Sequence, residues 1–180
     1  MVYLRKNIRL KGFDYSSPGY YFVTICTKGY AELFSPRVSS RYGHALPPGI
    51  RASDFPEEFH ARSRIIEDKL GDIERKFPCN IDFYCIMPTH IHKIVFLHQQ
   101  SKPFDEFDGC QSLSTSPRVK LETIISAFKS WTGRALGSSA FQPKYYDHII
   151  REEKVLKNIR EYILRNPYAL SLRWNELEKL

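Results

Sequence analysis

The sequence lacks several features that would place the protein in a membrane or outside the cell. No apolar run approaches the ~20 residues of a membrane span. The first residues, from Met1 to Lys6, carry charge and lead into further charged positions without the apolar core of a secretory signal. The 4 cysteines show no CxxC spacing, and three stand in or beside predicted strands, where a free thiol packs as a small apolar group. These absences predict a reduced, soluble protein of the cytoplasm.

Internal repeats and low-complexity stretches are also missing. A length of 180 residues suits one compact domain. With 42% hydrophobic and 14% aromatic residues, the composition is that of a globular protein. We therefore expect a single domain over residues 1–180.

The charge is unbalanced. Lysine and arginine outnumber aspartate and glutamate by 27 to 20, which gives a formal charge of +7. A net positive charge attracts polyanions through phosphate contacts and counterion release, so nucleic acid is the leading class of partner. Many proteins are equally basic without binding nucleic acid, and charge alone does not decide the matter.

Apolar periodicity divides the chain into strands and helices that suit an α+β fold, an antiparallel sheet with helices packed on it. The last strong helix should bury a stripe made by Val155, Ile159, Tyr162 and Ile163 and end before Pro167. Irregular loops are predicted near 36–56 and 99–117, and a short helical tail from 170. The predicted order is a strand at 20–26, a short strand at 31–34, a helix at 57–77, strands at 81–86 and 91–97, a helix at 121–135, a strand at 145–150 and a helix at 152–165.

His90 and His92 are the sharpest local feature. Residues i and i+2 of a strand point to the same side, so the two imidazoles can reach one metal ion. This spacing provides half of a metal site. Histidines also occupy strands for packing or hydrogen bonding, and the pair alone leaves both interpretations open.

Tyr162 and Asn166 are four residues apart on the last strong helix, so their side chains share one face. A phenol with a pKa of ~10 is a poor nucleophile, but a metal that polarises a phosphodiester can make its attack feasible. The amide oxygen of Asn166 could complete a metal site begun by His90 and His92. The alternative is that Tyr162 is a core residue and Asn166 a helix end.

Three separated motifs resemble one family. The segment from Ile86 to His92 resembles the histidine–hydrophobic–histidine motif of the HUH superfamily. The segments 145–151 and 159–167 are similar to the C-terminal signature of the REP-associated tyrosine transposases, and 5–15 with 21–27 to their opening. The resemblance spans roughly residues 5–168 and implies a ferredoxin-like or RRM-like antiparallel sheet with the histidines on a central strand.

The resemblance also implies a chemistry. His90, His92 and Asn166 become ligands of a divalent metal, Mg²⁺ or Mn²⁺. Tyr162 becomes the nucleophile that forms a 5′-phosphotyrosine bond with single-stranded or hairpin DNA and frees a 3′-hydroxyl. Thr89 stands where the family more often has Asn, Lys93 where an aliphatic residue is usual, and Phe141 where Trp is usual.

DNA contacts are expected from basic residues of the N-terminal arm and from aromatic residues that stack unpaired bases. Two alternatives remain open at this point: a protein that binds hairpin or single-stranded DNA without cleaving it, and an RRM-like RNA-binding module that shows stacked aromatics on an open sheet face. A monomer and a homodimer are equally compatible with the sequence. The expected DNA-contacting residues are Arg5, Lys6, Arg9, Lys11, Tyr145 and Tyr146.

Overall fold

The computed structural model of the chain describes residues 10–40, 43–45, 51–99 and 118–177. Within these ranges, three α-helices pack on a six-stranded sheet. The elements are β1 (Gly19–Cys26), β2 (Arg37–Ser40), β3 (Gly43–Ala45), α1 (Glu57–Lys76), β4 (Cys79–Met87), β5 (His90–Leu97), α2 (Leu121–Ala135), β6 (Tyr146–Ile150) and α3 (Glu153–Leu177).

The strands lie in the order β3-β2-β4-β5-β1-β6, and every neighbouring pair is antiparallel. The strands β1, β4, β5 and β6, with α1 and α2 as the crossovers, form the βαββαβ arrangement of a ferredoxin-like fold. The β2–β3 hairpin extends the sheet beyond β4. The expected α+β class and ferredoxin-like sheet are confirmed, and β5 is a central strand.

One face of the sheet carries α1 and α2. Helix α1 buries Ile66, Leu70 and Ile73 at spacings of four and three, which is the stripe of an amphipathic helix. Acidic residues in its first turn and basic residues in its last turn oppose the helix dipole at both ends. Because β1 and β5 alternate, Val23 and Ile91 point to this side, and the helices bury them.

The other face carries α3. Leu156 and Ile163 of α3 pack against the apolar residues that β4 and β5 present on this side. The pairing of β4 with β5 slips between Ile81 and Phe83, so that Asp82 is an extra residue in a β-bulge. The bulge moves odd-numbered residues of β4 from the α1–α2 side to the α3 side. It also lets the buried carboxylate of Asp82 accept a 2.7 Å hydrogen bond from Nε of Arg160 on α3.

Two predicted features between β1 and α1 were wrong. Residues 31–34 form no strand, because the chain after β1 turns through a short 3₁₀ helix at Lys28–Tyr30. The region 36–56, expected to be irregular, contains β2 and β3. These strands have only 4 and 3 residues and acquire their conformation from pairing with β4, which local sequence does not encode. Of the predicted loop 99–117, all but residue 99 lies outside the described residues.

The predicted end of the last helix was also wrong. Helix α3 continues through Pro167 to Leu177, so the expected separate tail is part of the same helix. A proline removes one backbone donor and strains the preceding turn, but the remaining bonds of a 25-residue helix hold on both sides of it. Among the described residues, no helix combines the length and hydropathy needed to cross a membrane.

Candidate active site

The two histidines of β5 lie side by side on the sheet face that carries α3. The Nε2 atoms of His90 and His92 are 3.1 Å apart, and the ring centroids are 4.6 Å apart. His92 is only 5% exposed, whereas His90 is partly accessible. The strand geometry expected from the i, i+2 spacing is therefore present, with the two Nε2 atoms next to each other.

Backbone hydrogen bonds fix the turn that immediately precedes His90. The β4–β5 turn consists of Pro88 and Thr89, and the carbonyl oxygen of Pro88 accepts a 2.9 Å hydrogen bond from the amide of Leu33. The carbonyl oxygen of Thr89 accepts a 2.8 Å hydrogen bond from the amide of the buried Thr27. These bonds tie the turn to the segment after β1, so His90 enters β5 from a fixed position.

The other ring nitrogens of the two histidines face threonine hydroxyls. Thr24 is the cross-strand partner of His92, and its Oγ1 lies 2.9 Å from Nδ1 of His92. Oγ1 of Thr89 lies 3.0 Å from Nδ1 of His90. Each Nδ1 atom is thus hydrogen-bonded, and each ring orientation is fixed.

Burial keeps both imidazoles neutral. Desolvation lowers the pKa of His90, and desolvation together with the nearby His90 lowers the pKa of His92 to about 3. Neutral imidazole is the form that coordinates metal ions. Both imidazoles are consequently uncharged at neutral pH, as metal coordination requires.

Helix α3 places the Tyr162 hydroxyl beside this pair. The hydroxyl oxygen lies 3.4 Å from Nε2 of His92, and the tyrosine ring meets the rings of Phe22 and His92 edge to face at 6.1 and 5.3 Å. Tyr162 is 50% exposed. It was wrongly assigned to the buried stripe of the helix, where Leu156 supplies the missing core contact.

Phe22 was not predicted as part of this site. Its ring stacks on His92 with centroids 5.4 Å apart and an angle of 25°, and it also contacts Tyr162 and Tyr146. Phe22 stands two residues before Thr24 on β1, so period-2 alternation puts both on the histidine face once the pairing of β1 with β5 is known. The sequence gives the alternation but not that pairing.

Asn166 lies one helical turn after Tyr162 on α3 and is half-buried. It forms no hydrogen bond with His90 or His92 in the described part of the chain. The structure thus brings three of the four predicted site residues into direct contact and puts the fourth on the adjacent turn.

The histidine pair fits a divalent metal ion. Two ligands at about 2.1 Å from one ion are separated by about 3.0 to 3.4 Å for octahedral to tetrahedral angles, and the observed 3.1 Å lies in this interval. Among the described residues, no group of three His, Cys, Asp or Glu side chains is placed to hold a metal. A metal ion held by this pair would therefore take its further ligands from other groups, such as an amide, water or a phosphate oxygen.

The expected DNA-contacting residues that the structure describes do not all lie beside the histidines. Arg5, Lys6 and Arg9 lie outside the described residues, and Lys11 is exposed. Tyr146 is half-buried on β6, with its ring 6.3 Å from that of Phe22 and hence beside the site. The other predicted tyrosine, Tyr145, packs against the core of the α1–α2 side, away from the histidines.

Comparison with known proteins gives a relative and a fold. No protein-family model matches the chain. An uncharacterized protein of Haemophilus influenzae is 31% identical in an alignment that covers 92% of this chain and 89% of that protein. The two proteins belong to one family.

The same fold occurs in a solved structure of a REP-associated tyrosine transposase bound to a REP hairpin. It aligns with a TM-score of 0.57 at 16% identity and covers 92% of this chain and 74% of that chain. A candidate transposase from Deinococcus radiodurans R1 aligns with a TM-score of 0.46 at 14% identity, covering 86% of this chain and 95% of that chain. The chain therefore has the fold of a REP-associated tyrosine transposase.

Proposed function

We propose that this protein is a transposase-like enzyme that cleaves single-stranded DNA and rejoins it through a covalent bond to Tyr162. One observation carries the proposal: the hydroxyl of the half-exposed Tyr162 lies 3.4 Å from Nε2 of the buried His92, which is itself 3.1 Å from Nε2 of His90. A tyrosine with only a packing role would not need to present its hydroxyl to a metal-binding pair.

The proposed reaction needs no external energy source. The phenolic oxygen of Tyr162 attacks the phosphorus, a phosphorus–oxygen bond to the 3′-oxygen breaks, and a 5′-phosphotyrosine forms. The phenolic proton passes to solvent, and the leaving 3′-oxygen gains a proton from water. A second 3′-hydroxyl can reverse the step and join a strand, because the phosphotyrosine conserves the bond that was broken.

His90 and His92 would hold Mg²⁺ or Mn²⁺ through their Nε2 atoms, with Asn166 as a further ligand. A bound divalent ion would polarise the scissile phosphate and neutralise its developing charge. The protein's part is to keep the imidazoles neutral and to hold Tyr162 at the edge of the pair.

The polyanion that the protein is proposed to bind is DNA, in the form of a hairpin with an unpaired strand. A base-paired duplex would keep its phosphate away from a site enclosed by the sheet and α3, whereas a single strand beside a hairpin can enter it. The fold of this chain is that of a protein solved with a REP hairpin, and the charge of +7 favours phosphate contacts. Tyr146, whose ring lies 6.3 Å from that of Phe22, would stack an unpaired base.

The RNA-binding alternative receives less support from the arrangement of the sheet. An RRM binds RNA on an open sheet face, but here α3 packs on the face that carries the aromatic residues of β1 and β5. A protein that binds DNA without cleaving it would need the same basic surface. The experiment described next distinguishes that alternative from the proposed enzyme.

The test uses labelled single-stranded hairpin oligonucleotides with Mg²⁺ or Mn²⁺ and detects a covalent protein–DNA adduct on a denaturing gel. We expect an adduct with the wild type and none with Tyr162→Phe, which removes only the hydroxyl. Tyr30→Phe is the matched control, since Tyr30 is also an exposed tyrosine but is not among the contacts of the histidine pair. An adduct that persists in Tyr162→Phe would assign the nucleophile elsewhere, and no adduct with any hairpin would favour a binding protein.

A further inference from the structure

The hydrogen bonds at the Nδ1 atoms of His90 and His92 point to a role that the proposed function does not include. Both Nδ1 atoms face a threonine hydroxyl, Thr24 for His92 at 2.9 Å and Thr89 for His90 at 3.0 Å. The two threonines come from different places, one from β1 and one from the β4–β5 turn. The same chemistry at both rings indicates a shared requirement.

That requirement follows from the 3.1 Å between the Nε2 atoms. Two lone pairs at this separation repel each other, so in a neutral pair one Nε2–H donates to the other Nε2. The donating imidazole then has an unprotonated Nδ1, and the accepting imidazole has a protonated Nδ1. The two rings are therefore in opposite tautomers, and their second partners must play opposite roles.

Joint coordination of one ion needs a different arrangement. Both Nε2 atoms must then offer a lone pair, and both Nδ1 atoms must carry the proton. Between the two arrangements, the hydroxyl that faces one of the Nδ1 atoms must change from hydrogen-bond donor to acceptor. A hydroxyl can do both because it rotates, whereas a carboxylate or a backbone carbonyl only accepts.

We infer that Thr24 and Thr89 are positioning residues that hold His90 and His92 in the orientation for shared metal binding and satisfy Nδ1 in either tautomer. The inference rests on the proposed metal site and deepens it. The contact at Thr24 is the more sheltered of the two, because His92 is 5% exposed and has little access to a replacement water. The loss of the Thr24 hydroxyl should consequently have the larger effect.

The test compares Thr24→Val and Thr89→Val with the wild type by calorimetric titration with Mn²⁺. Valine keeps the shape and removes the hydroxyl. Loss of such an outer partner is expected to weaken metal affinity by about 10- to 100-fold, with the greater loss at position 24. Thr24→Ser restores the hydroxyl and should return the affinity close to that of the wild type.

Thr132→Val is the matched control, because Thr132 is a fully buried threonine of α2 whose hydroxyl has no partner among the described residues. Its metal affinity should equal that of the wild type. A structural role for Thr24 would lower stability without changing ring protonation, so a second readout is needed. Long-range proton–nitrogen NMR spectra with Mg²⁺ should show Nδ1–H on both histidines in the wild type and a mixture of tautomers for His92 in Thr24→Val.

The outcomes separate this inference from the proposed function. Equal Mn²⁺ affinity for the wild type, Thr24→Val and Thr89→Val, with unchanged histidine spectra, overturns the inference alone. A wild type that binds neither Mn²⁺ nor Mg²⁺ overturns it together with the proposed metal site. Weakened binding in the valine variants and rescue by serine support the inference, even if no covalent DNA adduct forms and the proposed cleavage fails.

Discussion

Lys93 follows His92 in β5, so its side chain points to the opposite face of the sheet, into the core under α2. It is fully buried, its Nζ lies 3.8 Å from the centroid of the Phe128 ring, and that nitrogen makes no hydrogen bond in the described part of the chain. A cation–π contact offsets only part of the cost of removing an ammonium group from water. Burial accordingly lowers the pKa of Lys93 to about 7.

We expect Lys93→Met to stabilise the protein. Methionine keeps the length of the side chain and removes the unpartnered charge, so the free energy of unfolding at neutral pH should rise by about 1–3 kcal/mol. Urea denaturation of the wild type and the variant measures this difference in the free energy of unfolding. Lys157→Met, at an exposed position of α3, is the control and should leave stability almost unchanged.

Lys93 should also make the free energy of unfolding depend on pH. The folded pKa of about 7 lies below the unfolded value of 10.5, so the unfolded chain binds more protons between these values. Stability of the wild type should therefore increase as pH rises from about 7 to about 10.5, and this rise should be smaller in Lys93→Met. Parallel profiles for the two proteins would show that Lys93 does not titrate on unfolding.

At the scale of elements, the attachment of α3 to the sheet determines where Tyr162 lies. Apolar packing of Leu156 and Ile163 supplies part of this attachment. The rest comes from Arg160, whose guanidinium pairs with the buried Asp82 of the bulge and lies 5.5 Å from the ring centroid of Phe83. The hydrogen bond to Asp82 raises the pKa of Arg160, which therefore stays charged.

We expect Arg160→Met to destabilise the fold by about 3 kcal/mol, because it removes the guanidinium that pairs with the buried Asp82 carboxylate. The double variant with Asp82→Asn should recover part of this loss, and a double-mutant cycle in urea measures the coupling. Arg165→Met, an exposed position on the same helix, is the control. Additive effects of the two substitutions would contradict an attachment through this pair.

Elements with strong periodicity were predictable. The apolar spacing of α1 and the β-branched runs of β4 and β5 encode their own conformation, and His90 and His92 share a face because strands alternate. The β2–β3 hairpin could not be predicted, since its strands exist through pairing with β4. Thr24 and Phe22 were missed because their place beside His92 depends on the register of β1 with β5, which links positions 68 residues apart.

At the scale of the whole molecule, DNA affinity and DNA cleavage should have separate origins. Affinity for a hairpin is expected to come from the excess of 7 positive charges over the entire chain, and backbone contacts carry most of it. Cleavage is expected to depend on one small site. The two properties can therefore be lost independently.

The combined substitution His90→Ala and His92→Ala should abolish adduct formation and weaken metal binding while retaining much of the hairpin affinity. Fluorescence anisotropy over a range of salt concentrations should give the same slope of log affinity against log salt for the variant and the wild type, because the phosphate contacts are unchanged. Adduct formation at the wild-type rate would mean that the metal site lies elsewhere.

Tyr162, the proposed nucleophile, and His92, a proposed metal ligand, are 70 residues apart in the chain, and this separation sets an order during protein synthesis. At about 5–20 residues per second, a ribosome reaches Tyr162 about 4 to 14 s after His92. Until then, the nascent chain contains β1, β4 and β5 with the histidine pair but lacks Tyr162. Under the proposed function, strand cleavage begins only after α3 has been translated and docked, so an unfinished chain cannot become trapped on the chromosome as a covalent adduct of this tyrosine.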